Sequence, residues 1–308
     1  DKETVINSAT FLAIENPSTD VARYRAGDLD MTNYGLPPEQ FAKLQKELPG
    51  EVYITRTLAT YSYELNNKKA PFDNVNVRKA LNLSLDRNVI TDKVLGQGQT
   101  PTYVFTPTYI EEGQLIQQPA YSKEPMAQRN EEAIKLLEEA GYSKANPLKF
   151  SILYNTNENH KKVAIAAASM WKANTKGLID VKLENQEWKT YIDSRRAGRY
   201  DAARAGWNAD YNQATTFGNY FLSNSSNNTA KYANPEYDKA IAESYVATDA
   251  EGRAKAYAKA EEILAKDFGI VPIFNYVNPR LVKPYVKGYS GKDPQDHIYL
   301  RNLYIIKH

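Results

Sequence analysis

Within the stretch YDAARAGWNADYN (residues 200–212), Arg204, Gly206, Trp207 and Asp210 follow one another: a cation, a bare backbone position, a large aromatic and an anion. Tyr200, Ala202 and Ala203, just before them, suit a packed strand. A planar guanidinium is matched to a ligand carboxylate. Glycine lets another backbone approach closely, and an aspartate beyond the strand end accepts a hydrogen bond from an ammonium. Together these meet the requirements for holding a short zwitterionic peptide: main-chain pairing as in strand addition, with opposite charges near the two ends. Recognition of this kind ignores side-chain identity, and Trp207 is placed to wall a side-chain pocket. The structural alternative for Arg204 is an ion pair inside the fold, because an unpartnered charge in an apolar strand is costly.

Other chemistries find no carrier. The three histidines, His160, His297 and His308, form no H-x-x-x-H or H-E-x-x-H pattern. His160 sits in YNTNENHKK, where a strand gives way to a helix, and by pattern alone it is a solvated or capping residue. There is no G-x-S-x-G elbow. LGQGQTP holds a G-x-G without the third glycine or the Lys-Ser/Thr of a phosphate loop. No carboxylate pair is singled out by spacing. The expectation is a protein that performs no catalysis and carries no metal or cofactor.

The chain has 308 residues, enough for one large or two medium domains. A net charge of +2 removes any bulk electrostatic argument for nucleic acid or anionic membrane as partner. No run approaches the ~18 apolar residues of a membrane span. Cysteine is absent, which excludes disulfides and thiol chemistry and suits an oxidising compartment. The opening DKETVINSATFL lacks the basic-then-apolar order of a signal peptide, so the reading is a soluble, mature or already cut chain. Tyrosine outnumbers phenylalanine 23 to 9, which favours wet, adaptable contact surfaces unless it is compositional drift.

Elements that must position these residues are legible from periodicity. TVINSATFLAIE reads as a strand and STDVARYRAGDLDMT as a helix capped at Ser18 or Thr19 and stopped at Gly27. EVYITRTLATYSYELN alternates as one or two strands, NVNVRKALNLSLDRNVITDKVLGQG reads as one or two helices, and TPTYVFTPTYIEEGQLIQQPAYSKEP as a long ordered loop. RNEEAIKLLEEAGY is an amphipathic helix ended by Gly141. Then PLKFSILYN, KKVAIAAASMWKAN, DVKLENQ, EWKTYIDSRRAG and RYDAARAGW alternate strand and helix. NPEYDKAIAESYVA and AEGRAKAYAKAEEILAKDF are two further helices, and GIVPIFNYVN is a strand. The alternation predicts an α/β sheet with helical cover.

LENQEWKTYIDSR, ARAGW, ADYN, SSNNTA, NPRLVKPYVKGY, GKDP and the terminal LYIIKH closely resemble the periplasmic oligopeptide-binding proteins of ABC importers. Murein-peptide-binding relatives share much of this, and the match runs from about Thr4 to His308. The resemblance implies a periplasmic-binding-protein-like α/β fold of class II (cluster C), with a mixed sheet and helical cover. Residues 1–58 and 278–308 would belong to an incomplete first lobe and 59–277 to a second, peptide-binding lobe that closes like a hinged jaw. It further implies that Asp210 meets a peptide's α-amino group, that Arg204 faces the C-terminal carboxylate of short peptides, and that His160 lies along the same route for longer ones. Gly206 and Asn208 would supply backbone bonds and Trp207 a pocket wall. Tyr276, Arg195 and Glu64 match cleft-lining positions, with structural pairing near the cleft as the alternative for Arg195 and Glu64. Two departures stand out. Some relatives have lysine where this chain has Leu95, and some have cysteines matching Ala59 and Asn208, which would bridge the cleft-side strands.

The expected partners are short peptides, a membrane ABC permease and an N-terminal lobe this chain lacks, in the periplasm, without nucleic acid or membrane insertion. The rivals are a murein-tripeptide binder of the same family, a chaperone-like peptide-binding fragment, and a periplasmic peptidase for which no nucleophile, metal or acid pair assembles.

Overall fold

The computed structural model describes residues 4–14, 16–33 and 35–307. Glu15, the last residue of the first expected strand, and His308 lie outside the described residues. The chain runs through α1 (Pro17–Ala26), α2 (Pro38–Glu47), β1 (Val52–Leu65), α3 (Val75–Leu83), β2 (Thr100–Pro101), α4 (Met126–Glu139), β3 (Leu148–Asn155) and α5 (Glu158–Asn174). It continues with β4 (Ile179–Gln186), α6 (Trp188–Arg196), β5 (Ala202–Asn208), α7 (Thr215–Gly218), α8 (Pro235–Val246), α9 (Ala250–Lys266) and β6 (Ile270–Leu281). Two short strands, β7 (Val286–Lys287) and β8 (Tyr304–Ile305), close the series.

Two units divide the chain. The first comprises residues 1–57, 95–99 and 276–308; the second comprises 58–94 and 100–275. In the first, α1 and α2 pack Val21, Tyr24, Phe41 and Leu44 with Leu36 and Leu281 into one apolar cluster. Asn16, rather than Ser18 or Thr19, caps α1: its side-chain oxygen accepts from the amide of Ser18 at 2.8 Å. Gly27 ends the helix at φ 89°, a left-handed conformation that glycine takes without cost. The expected strand at the start does not form. Residues 4–14 join neither sheet, and Val5 and Phe11 are 70% and 73% exposed. Alternating apolar residues make a strand only where another edge takes up the main-chain donors and acceptors. Pro38–Glu47, which the periodicity reading passes over, is helical, with Pro38 at its first turn.

The second unit is built on the sheet ordered β2-β6-β1-β5-β3-β4. β3 runs parallel to β4 and β5, whereas β1 is antiparallel to β5, so the sheet is mixed. Register sorts the side chains. Ala59, Tyr61 and Tyr63 of β1 share one face with Arg204, Gly206 and Asn208 of β5; Ser62 and Glu64 share the other with Ala203, Ala205 and Trp207. Helix α5 covers the first face: fully buried Trp171 lies 5.9 Å from the Tyr63 ring and 5.7 Å from the Phe150 ring. Its indole N–H donates to the Leu81 carbonyl at 2.9 Å, the partner a buried tryptophan needs. The second face is closed by α6 and by a cluster joining Phe217, Tyr237, Ile241, Tyr257 and Leu264 of α7, α8 and α9 with Leu58 and Ile270. A sheet covered on both sides explains why β1 is buried at every position from Leu58 to Leu65.

Candidate functional site

The strand β5 carries the first part of the site because small residues let it sit in mid-sheet. Ala202, Ala203 and Ala205 are buried, and Arg204 is half-buried between them. The Arg204 guanidinium carbon stands 5.3 Å over the centre of the Tyr61 ring, and the Arg204 carbonyl accepts the hydroxyl of Tyr191 on α6. Tyr61 faces Gly206 directly across the ladder, and its ring stacks on Phe274 of β6 at 4.8 Å. Glycine at 206 leaves the backbone there without a side chain.

His160 reaches the same ring from another element. It lies in the first turn of α5, and its ring is 5.7 Å from that of Tyr61. Nδ1 is 3.0 Å from the side-chain oxygen of Asn155, at the end of β3. That acceptor places the ring hydrogen on Nδ1 and leaves Nε2 with its lone pair. Burial first, and the nearby Arg204 cation second, push the His160 pKa down to about 2, so the ring is neutral across the physiological range. Arg204 and His160 therefore converge on Tyr61 as one charged and one neutral donor-acceptor group.

Asp210 lies past the end of β5 and is exposed. Its carboxylate accepts the hydroxyl of Thr216 at 3.2 Å, and its amide donates to that same oxygen at 3.2 Å. Thr216 also holds Trp207, whose indole N–H donates to the Thr216 carbonyl at 2.9 Å. Trp207 points to the opposite sheet face from Arg204, with its ring 4.8 Å from Tyr220 in an edge-to-face contact. Asn208 is exposed opposite Ala59.

Glu64 and Arg195 meet each other within the second face. They form an ion pair at 3.0 Å, with side chains only 1% and 10% exposed. Glu64 also accepts from the hydroxyls of Tyr220, at 2.6 Å, and Thr229, while Arg195 donates to those same two hydroxyl oxygens at 3.2 and 3.1 Å. Burial works against the Arg195 charge, but Glu64 beside it overrides burial and holds the guanidinium ionised well above its ordinary range. The network ties α6 to the sheet beneath β5.

Tyr276 lies in β6 and in the other unit, where its carbonyl accepts the hydroxyl of Thr57 at 3.1 Å. Leu95 ends a π-helical turn over Val89–Leu95 and is buried. Three residues that motif reasoning does not single out take part: Tyr61, Asn155 and Thr216. Only Tyr61 left a readable signal, as an aromatic at an alternate position of a long strand. Among the described residues, no three His, Asp or Glu side chains are grouped to hold a metal ion, and no helix is long and apolar enough to cross a membrane.

Residues 1–229 match the family model described as bacterial extracellular solute-binding proteins, family 5 Middle. The chain belongs to this family. Among curated family 5 relatives, it is 97% identical over 308 residues to the periplasmic oligopeptide-binding protein OppA of Haemophilus influenzae, covering all of this chain and 57% of that protein. A solved structure of Haemophilus influenzae OppA in complex with RPPGFSPFR superposes with a TM-score of 0.94 at 96% identity, over 100% of this chain and 60% of that one. The Escherichia coli murein tripeptide binding protein MppA gives a TM-score of 0.92 at 43% identity, over 100% and 60%. The chain thus spans little more than half the length of the family 5 relatives it matches. Its fold is theirs over that span, an α/β lobe on a mixed sheet. The relatives are named for binding and not for catalysis.

Proposed function

We infer that this chain is the part of a periplasmic oligopeptide-binding protein that grips the two ends of a short peptide and hands it to an ABC importer. The observation that carries this reading is the order of charges along one strand. Arg204 and His160 converge on Tyr61 at one point, and Asp210 lies beyond the other end of β5, with the open backbone of Gly206 between. Six residue steps separate Arg204 from Asp210, an upper bound of ~20 Å at strand rise. An extended peptide of a few residues, at ~3.5 Å each, fits within that span. Asp210 takes the α-ammonium, steadied by Thr216, and Arg204 takes the C-terminal carboxylate. His160, neutral and held by Asn155, lines the same end beside Arg204. Side-chain identity enters little, because main-chain pairing and terminal charges hold the peptide. Near-identity to a relative named as a periplasmic oligopeptide-binding protein supports the substrate class and the compartment.

Glu64 and Arg195 act in this reading from beneath the site, as the buried support of β5 and α6. Asn208 and Trp207 border it.

The test is calorimetric, on a full-length protein carrying this sequence, with tri-alanine and its N-acetylated form. Acetylation removes the partner of Asp210 and is expected to weaken binding by about 1.5–3 kcal/mol, the worth of a charged hydrogen bond. Equal affinity for the two peptides would sink the assignment. Likeness to the murein tripeptide binding protein favours a second reading, a murein peptide as ligand; competition between a murein tripeptide and tri-alanine decides between them.

A further inference from the structure

We propose that Glu112 is a positioning residue for peptide binding, holding the loop that presents Asp210. The proposal rests on Asp210 as the ammonium partner, and it concerns a segment that neither motif nor resemblance marks. The loop from Asp210 to Thr216 is closed at its base by the Asp210–Thr216 bonds. Its apex is held from outside. The Gln213 side-chain amide donates to Glu112 Oε2 at 3.0 Å, and the Thr215 hydroxyl donates to Gln213 Oε1 at 2.9 Å. Two further bonds join the same pair of loops: Ala214 N to the Glu111 carbonyl at 3.0 Å, and Glu111 N to the Asn212 side-chain oxygen at 3.2 Å.

Glu112 is itself fixed. Arg253 on α9 reaches its Oε1 through both Nε and Nη2 at 2.7 Å, a fork on one carboxylate oxygen that leaves Oε2 for Gln213. The backbone at Glu112 is left-handed, φ 64°, a conformation unfavourable for glutamate. Gly113 follows where a Cβ would come within 2.7 Å of Ile110 and 2.9 Å of the Pro107 carbonyl. A tight turn therefore delivers the Glu112 carboxylate to one place, and α9 is the rigid element behind it. Through Glu112 and Gln213, the exposed Asp210 inherits the position of a helix more than 40 residues away in sequence.

The experiment compares tri-alanine with N-acetyl-tri-alanine on the full-length protein as wild type, Glu112→Ala, Arg253→Ala, Asp210→Asn and the Asp210→Asn/Glu112→Ala double variant. Glu112→Ala is expected to weaken the free peptide about five-fold, within the range of coupling between neighbouring groups, with the acetylated peptide changed by less than about two-fold. Arg253→Ala, a change on a half-exposed helix face, is expected to move the same ratio in the same direction. In the Asp210→Asn background, Glu112→Ala is expected to have no further effect, since nothing remains to be positioned. Discrimination retained by both Glu112→Ala and Arg253→Ala, while Asp210→Asn loses it, overturns this proposal alone. Equal loss for both peptides also overturns it, as a general structural effect. Discrimination retained by Asp210→Asn overturns the underlying assignment of the ammonium site, and the positioning role with it.

Discussion

Ala59 and Asn208 stand directly opposite each other on β1 and β5 as a non-hydrogen-bonded pair, with the Ala209 amide bonded to the Leu58 carbonyl one step outside them at 2.8 Å. Pairs of this type hold their Cα atoms ~4.5 Å apart, within the range that disulfide geometry accepts. The double variant Ala59→Cys/Asn208→Cys is therefore expected to form a bridge in non-reducing buffer and to raise stability by about 2–4 kcal/mol. Thiol titration reads the outcome; two persistently free thiols would contradict the register.

Breaking the Glu64–Arg195 pair from one side leaves a buried carboxylate with its hydroxyl donors but without its counter-charge. Arg195→Ala is expected to destabilise the fold by about 3–5 kcal/mol, whereas the paired replacement Glu64→Gln/Arg195→Met costs less than the single change. Chemical denaturation of the three proteins gives both numbers. An Arg195→Ala protein as stable as wild type would show that the network carries no strain when opened.

His160 links stability to pH. Its pKa is depressed in the folded protein, so between pH 6.5 and about 2 the unfolded chain binds a proton that the folded one refuses. Stability is therefore expected to fall as pH drops below 6.5, with a slope from this residue of at most ~1.4 kcal/mol per pH unit. Removing the group with His160→Gln should flatten the melting temperature between pH 6.5 and 4.5 relative to wild type. An unchanged pH profile would mean that the ring titrates normally.

Arg204→Lys tests the carboxylate end. Lysine keeps the charge but loses the planar fork and its stacking over Tyr61. Binding of a free-carboxylate peptide is expected to weaken by about 1.5–3 kcal/mol, and a C-terminally amidated peptide should respond far less. Calorimetry with the two peptides distinguishes this from a general loss of fold, which would affect both alike.

Much of this protein is written in its one-dimensional pattern. Period-two alternation marks β1, a packed run of small residues marks β5, an amphipathic stripe marks α4, and Arg204 and Asp210 stand out by residue type, whereas His160 is singled out only by the resemblance. The pattern fails at residues 4–14, where alternation is present and no strand results, because a strand is made by its neighbour as much as by its own residues. It fails differently at Glu64 and Arg195. Either could have faced a ligand or a counter-charge, and their 131-residue separation hides the fact that they close on each other.

What the sequence by itself determined is therefore the inventory and its order: which strand carries the cation, that glycine follows it, that the anion comes past the strand end, and that no cysteine is present. Tertiary structure alone decided who meets whom. Sheet order brings Tyr61 beneath both Arg204 and His160. The antiparallel register sets Ala59 against Asn208, and the turn at Glu112 sends its carboxylate to the loop of Asp210. The physical reason is that backbone periodicity is a local property, fixed by sterics within a few residues. Burial, pKa and pairing depend on atoms that folding brings in from distant parts of the chain.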